Sequence, residues 1–237
     1  MEFPALVEGR LVRRYQRFLA DVVCADGSAI TAHCANPGAM LGLAVPGARV
    51  LLSASDNPKR KLRHSWELVE ADLPGGPQWV GINTLRPNAL VAEAFRARAL
   101  APLAGYDALR PEVRYGAASR VDFLASGPGL PPCHVEVKNC HLMRRAGLAE
   151  FPDCTAARSA RHMRELAAVV ASGGRAVVIV VVQMAAEAFD VARDIDPGFD
   201  AAFQAARAAG VEAHAYRCAV GPQGVRIEAE IPVLGPP

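Results

Sequence analysis

Asp122, Glu136 and Lys138 have the residue types and spacing for metal-assisted attack on a phosphodiester. They lie in two strand-like segments, Arg120-Val121-Asp122-Phe123 and His134-Val135-Glu136-Val137-Lys138. Side chains alternate along a strand, so Glu136 and Lys138 project from one face and Val135 and Val137 from the other. If the segments pair, Asp122 joins them on that face. Two carboxylates would then hold a hard divalent cation beside an ammonium group that steers a nucleophilic water. Residues 126–132, rich in Gly and Pro, supply turn material for a hairpin between them. The bland alternative is a solvated strand face with a weak Glu-x-Lys ion pair. Against it, Lys138 is flanked by apolar and neutral residues. That flank predicts a largely buried strand, in which a charge requires partners.

The elements that must position this trio fall into two regions. Residues 17–33 predict a hairpin around an Asp26-Gly27 turn, and further strands are expected near 48–53, 65–71 and 79–82. Short strands with frequent turns indicate a small barrel or sandwich. From Asn83 the period changes: a helix is expected from about Pro87, then strands at 113–115 and around Asp122 and Glu136. A helix over 156–171, a buried strand over 176–183, an alanine-rich helix over 199–209 and two closing strands follow. The order is that of an α/β region with the acidic cluster near its centre.

The 237 residues are 51% hydrophobic and 21% charged, which excludes a disordered chain, and the formal charge of +2 is neutral on nucleic-acid binding. Six cysteines without a CxxC pair predict free thiols in a cytoplasmic protein. Cys133 and Cys140 would face opposite sides of a strand, which disfavours a zinc site. The longest apolar run, 176–182, is too short to span a membrane.

The sequence resembles the sugar fermentation stimulation protein family over nearly its whole length. The first half carries Arg17-Phe18-Leu19-Ala20-Asp21-Val22, His33-Cys34-Ala35-Asn36-Pro37-Gly38-Ala39-Met40, Lys59-Arg60-Lys61, His64-Ser65-Trp66-Glu67-Leu68 and Asn83-Thr84-Leu85. The second half carries Glu112-Val113-Arg114-Tyr115-Gly116, the two acidic segments, Phe151-Pro152-Asp153 and Arg161-His162-Met163-Arg164-Glu165-Leu166. The resemblance implies a two-domain α/β protein: an OB-fold-like barrel over residues 1–82, then a PD-(D/E)XK nuclease-like domain over 83–237. It also implies non-specific DNA binding with a link to sugar metabolism. In that pattern Asp122 and Glu136 match the ligands of Mg²⁺ or Mn²⁺, the Val137 carbonyl is a further ligand, and Lys138 matches the water-orienting lysine. Glu93 on the preceding helix is an extra acidic candidate, with a plain surface glutamate as its other reading. Where the family places threonine and often glutamate before Arg158, this chain has Ala156 and Ala157.

With a barrel of this type, Arg13, Arg14, Arg17, Lys59, Arg60, Lys61 and Arg63 are expected at DNA phosphates and Trp66 at a base. Their alternatives are a solvated positive face and, for Trp66, the core. Arg158, Arg161 and His162 share a helical stripe that either contacts a phosphate or faces solvent. The overall expectation is a DNA-binding protein with a metal-dependent nuclease site. The rival is a non-catalytic DNA-binding regulator of sugar metabolism whose nuclease-like site is vestigial.

Overall fold

The structure is a computed structural model and describes residues 1–115 and 119–235. Its first half is built from β1 (Leu6–Tyr15), β2 (Leu19–Cys24), β3 (Ala29–His33), β4 (Arg49–Ala54), β5 (His64–Leu73) and β6 (Gly76–Gly81). The strand order is β3-β2-β1-β4-β5-β6, and a further pairing of His33 with Ser65 joins β3 to β5. Five strands therefore close into an OB-type barrel, and β6 extends it on one side. The β2–β3 turn forms as its residues dictate. Asp26 accepts from the Ser28 amide and hydroxyl, and Gly27 takes φ +81°. Gly9 lets β1 and β2 approach closely, since a Cβ there would lie 2.3 Å from Val22 Cγ1. Pro74 and Gly75 form the turn between β5 and β6, and Gly76 already opens β6.

The second half contains α1 (Pro87–Arg96), β7 (Ala108–Tyr115), β8 (Ser119–Ser126), β9 (Cys133–Cys140), β10 (Leu142–Arg145) and β11 (Leu148–Phe151). After these come α2 (Ala157–Ala171), β12 (Arg175–Val182), β13 (Ala188–Val191), α3 (Pro197–Ala208), β14 (Glu212–Gly221) and β15 (Gly224–Ile231). The main sheet runs β15-β14-β12-β9-β8-β7, with β12 parallel to both β9 and β14. Strand β12 is apolar on both faces, as expected of a central parallel strand. Ala176, Val178, Val180 and Val182 enter one core, and Val177, Ile179 and Val181 enter the other.

Each core has its own helical cover. Leu90, Val91 and Phe95 of α1 seal one face; Met163 and Leu166 of α2, with Phe199 and Phe203 of α3, seal the other. That second core also runs into the barrel interior through Leu11, Val22, Leu52 and Trp66. The expected domain division, between residues 82 and 83, falls in the link from β6 to α1, but no gap in packing accompanies it. The structure adds a three-stranded sheet, β10-β11-β13, that the sequence pattern does not predict. Its strands are four residues each, too short to show a period.

The α2 start has no side-chain cap of its own. Asp196, at the N-cap of α3, supplies one from a distance. Its Oδ1 accepts from Phe199 N at 2.9 Å and its Oδ2 from Ala156 N at 2.7 Å. The Ala156-Ala157 turn thus has its polar partner elsewhere in the chain.

Candidate active site

Strands β8 and β9 pair antiparallel through Ala125↔Cys133, Leu124↔His134 and Phe123↔Val135, and the ladder stops there. Beyond it β8 turns away: Phe123 packs in the α1-side core with Val135 and Val137, but Val121 packs in the opposite one. Asp122 sits at this divergence. Its Oδ2 accepts from the Val137 amide at 2.7 Å, standing in for a ladder bond, and its Oδ1 accepts from Asn88 of α1 at 3.0 Å.

Glu136 and Lys138 share one face of β9, as alternation requires, and are 2% and 8% exposed. Lys138 Nζ lies 2.7 Å from Glu136 Oε1, the same oxygen that meets His162 Nδ1 of α2. Glu136 Oε2 is buried and has no hydrogen-bond partner among the described residues. Arg158 Nε lies 3.4 Å from the other nitrogen of His162. These groups line a cavity of about 440 Å³, with Arg120, Arg158 and Arg161 as its cations and Ser119 and Glu112 completing the wall.

The electrostatics divide the two carboxylates. Burial and the charge of Glu136 raise the Asp122 pKa, against the opposing pull of Val137 N–H, Asn88 and Lys138. Burial also pushes Glu136 upward, but His162 and Lys138 outweigh it and leave its pKa below the usual value. Burial, then the negative charges of Glu136, Glu165 and Asp122, push the Tyr115 phenol up. Two buried carboxylates, one with an orphaned oxygen, suit a hard cation. No cluster of three or more His, Cys, Asp or Glu stands ready to enclose a metal among the described residues. Two carboxylates do fit Mg²⁺ or Mn²⁺, whose remaining positions are commonly filled by water and substrate phosphate.

Of the predicted site residues, the structure gathers Asp122, Glu136, Val137, Lys138, Arg158, Arg161 and His162 around this cavity. His162 is buried against Glu136 rather than on a solvent-facing stripe. Glu93 is not brought there: its carboxylate lies 2.8 Å from the Met1 amino group, beside a separate cavity. At 3.6 residues per turn it faces about 140° around α1 from Asn88, so the helix cannot present both to Asp122. Asn88 and Arg120 are the site residues that sequence reasoning missed. Arg120 stands two residues before Asp122 in the same strand, a signal that could have found it, whereas nothing local marks Asn88.

The barrel cations sort by what they already hold. Arg14 donates to the carbonyls of Arg17, Asn36 and Gly38 at 2.8–2.9 Å, so it clamps a loop and is withdrawn from any phosphate. Arg13 pairs with Asp21 and covers the Tyr15 ring, and Arg60 donates to Ser65. Arg17, Lys59, Lys61 and Arg63 are exposed. Trp66 is fully buried and donates to the Leu68 carbonyl, which corrects its expected role at a base: it is core. Glu112 meets Arg120 at 3.9 Å, and Asn36 shapes its loop by bonding Ile82 O and Gly38 N. All six cysteines are free thiols. Among the described residues no helix is long and apolar enough to cross a membrane.

Two family models match the chain: the SfsA N-terminal OB domain over residues 12–82 and the sugar fermentation stimulation protein RE domain over residues 85–224. Relatives described as sugar fermentation stimulation protein homologs extend this. The one from Methylobacterium radiotolerans is 76% identical over 100% of both chains. The one from Caulobacter vibrioides is 54% identical, over 95% of this chain and 93% of its own. Among solved structures, Pyrococcus furiosus SfsA in complex with Ca²⁺ superposes with a TM-score of 0.89 at 24% identity, covering 99% of this chain and 98% of that one, and so shares the fold. The barrel, the sheet behind it and the full-length matches together show that the chain belongs to the sugar fermentation stimulation protein family.

Proposed function

We propose that the protein is a cytoplasmic DNA-binding nuclease, largely indifferent to sequence, which hydrolyses phosphodiesters with Mg²⁺ or Mn²⁺. The observation that carries this reading is the gathering of Asp122, Glu136 and Lys138 in one cavity, with Glu136 Oε2 left without a partner. That Pyrococcus furiosus SfsA, of the same fold, was solved in complex with Ca²⁺ is in keeping with a hard-cation site.

Asp122 and Glu136 would hold the metal, with the Val137 carbonyl beside them. When bound, the metal supplies Lewis-acid polarisation of the phosphate and a more acidic water. Asn88 and the Val137 amide orient the Asp122 carboxylate, and His162 orients that of Glu136. Lys138 directs a water toward the phosphorus, and the rim arginines hold the phosphate in place. Incubation of the purified protein with DNA and Mg²⁺ or Mn²⁺ tests the reading. Absence of cleavage under every divalent metal, with DNA binding intact, would leave the rival regulator. One observation favours that rival: Lys138 is already ion-paired with Glu136.

Asp122→Asn separates a metal site from a structural one. The folded pKa of Asp122 is raised, so its burial costs nothing below the unfolded pKa. The penalty accrues as pH rises from the unfolded value towards the folded one and is complete above it. In chelator, at a pH above that folded value, the variant should therefore melt higher than wild type, at about 2–4 °C per kcal/mol relieved. Added Mn²⁺ should raise the wild-type melting temperature, more so with rising pH, and leave the variant unmoved. Equal responses to Mn²⁺ by the two proteins would remove Asp122 as a ligand.

For the barrel face, we expect Lys59→Ala, Lys61→Ala and Arg63→Ala to lower DNA affinity for all sequences alike. Each phosphate left without its cation should reduce the slope of log affinity against log salt by about one. An unchanged slope in the triple variant would move the DNA path off this segment.

A further inference from the structure

A second cavity, of about 580 Å³, opens between the barrel and the end of β9. It adjoins the candidate active-site cavity, and Val137, Lys138, Arg158 and Ser159 line both. Its size lies within the range of pockets that enclose small organic ligands, about 300–1,000 Å³. Leu142, Phe151 and Pro152 contribute apolar wall, and Asn36, Asn139 and His141 contribute a polar floor.

The floor groups are committed to one another. Asn139 accepts from Gln183 at 2.6 Å, and its amide meets His141 Nδ1 at 2.9 Å. His141 Nε2 faces Asp153 at 3.2 Å, and Asp153 accepts from the Met40 amide at 2.7 Å. Asn36 donates to the Ile82 carbonyl. Such a floor holds its shape and offers few free donors or acceptors to read a ligand's edge. The rim carries two exposed cations, Arg17 on the barrel side and Arg158 on the α2 side.

Two large apolar side chains stand in solvent next in sequence to lining residues. Phe18, 45% exposed, follows Arg17, and Leu85, 71% exposed, follows Thr84. Exposed apolar side chains are the kind that insert between stacked bases.

Resting on the nuclease reading above, we infer that this cavity takes one unpaired nucleobase from the nucleotide beside the scissile phosphate. The preferred substrate is then single-stranded or locally unpaired DNA rather than intact duplex. A base in a duplex cannot enter a pocket of this depth without leaving the stack, and an already unpaired base enters without that cost. The apolar wall gives stacking energy to any base, and the committed floor leaves its identity unread. Arg17 and Arg158 would take the phosphates on either side.

Binding in chelator tests this without requiring cleavage. Short DNA oligonucleotides carrying 2-aminopurine are titrated with the full-length protein as a single strand, a bulged duplex and a perfect duplex. Emission should rise on binding of the single strand and the bulge, as the probe leaves its stack. Single strand should bind about tenfold more tightly than perfect duplex, as expected for one base stacked on protein. Thr155→Leu with Ala157→Leu, both at exposed rim positions, should fill the cavity, abolish that preference and leave duplex affinity unchanged. Equal affinity for single strand and duplex, with silent 2-aminopurine in wild type, overturns the inference whatever the variant does. A single-strand preference without cleavage in Mn²⁺ removes the nuclease reading alone, and failure to bind any oligonucleotide removes both.

Discussion

Replacement of Lys138 by alanine is expected to slow the proposed metal-dependent DNA cleavage by about 10²–10³-fold, the range for loss of one preorganised donor. The same variant should bind DNA in chelator as wild type does, since Lys138 is 8% exposed and sits beneath the cavity rather than on its rim. The fold should survive, because Glu136 keeps its contact with His162. Its chemistry should shift in a readable way. Lys138 is among the groups that hold the Glu136 pKa down, against burial that pushes it up. Without the ammonium, Glu136 takes up a proton at higher pH, and protonated Glu136 cannot serve a cation. The acid limb of residual cleavage and the pH at which Mn²⁺ begins to stabilise the protein should both move upward. Lys138→Gln, which can still donate to Glu136, should be as slow but shift the pH limb less. Cleavage by the alanine variant at the wild-type rate would dismiss the lysine from the chemistry.

Removal of Glu67 is expected to cost about 3–5 kcal/mol of stability, the usual result of breaking a buried ion pair from one side. Glu67 is 1% exposed and accepts from Ser53 at 2.6 Å, Asn83 at 2.9 Å and Arg86 at 2.6 and 3.0 Å. In Glu67→Ala these donors lose their acceptor together. Arg86, with a side chain 31% exposed, can turn partly to water, so the lower end of the range is expected. Urea or thermal unfolding measures it, at about 2–4 °C per kcal/mol for a chain of this size. The effect should reach the active site. Arg86 is the N-cap residue of α1, and Asn88, in its first turn, holds Asp122. Loosening that end should weaken the Mn²⁺ response as well. A variant that unfolds at the wild-type midpoint would show the network to be idle.

How much of the fold and site is legible in the sequence follows the range of the interactions involved. The β2–β3 hairpin, α1 from Pro87, the apolar β12 and the Glu136/Lys138 face are all readable, since each depends on neighbours a few residues away. The family motifs add the barrel and the pairing of Asp122 with Glu136. The β10-β11-β13 sheet is not readable, because four-residue strands carry too few alternations to stand out from a loop.

Among charged residues the limit is sharper. Arg13, Arg14 and Arg17 are alike in the sequence, yet one pairs with Asp21, one clamps three carbonyls and one lies at a cavity rim. Trp66 and the basic segment before it look like a single nucleic-acid surface, but the indole is buried in the barrel core. Glu93 and Asn88 share α1, and the helical turn decides which of them meets Asp122.

The sequence by itself determined the helices, the longer strands and the shared face of Glu136 and Lys138, because backbone preference and side-chain period are local. Only the tertiary structure decided which donors hold Asp122, which oxygen of Glu136 is left without a partner, and that a second cavity adjoins the first. Those outcomes depend on desolvation and on contacts between residues far apart in the chain. Neither is encoded at any one position.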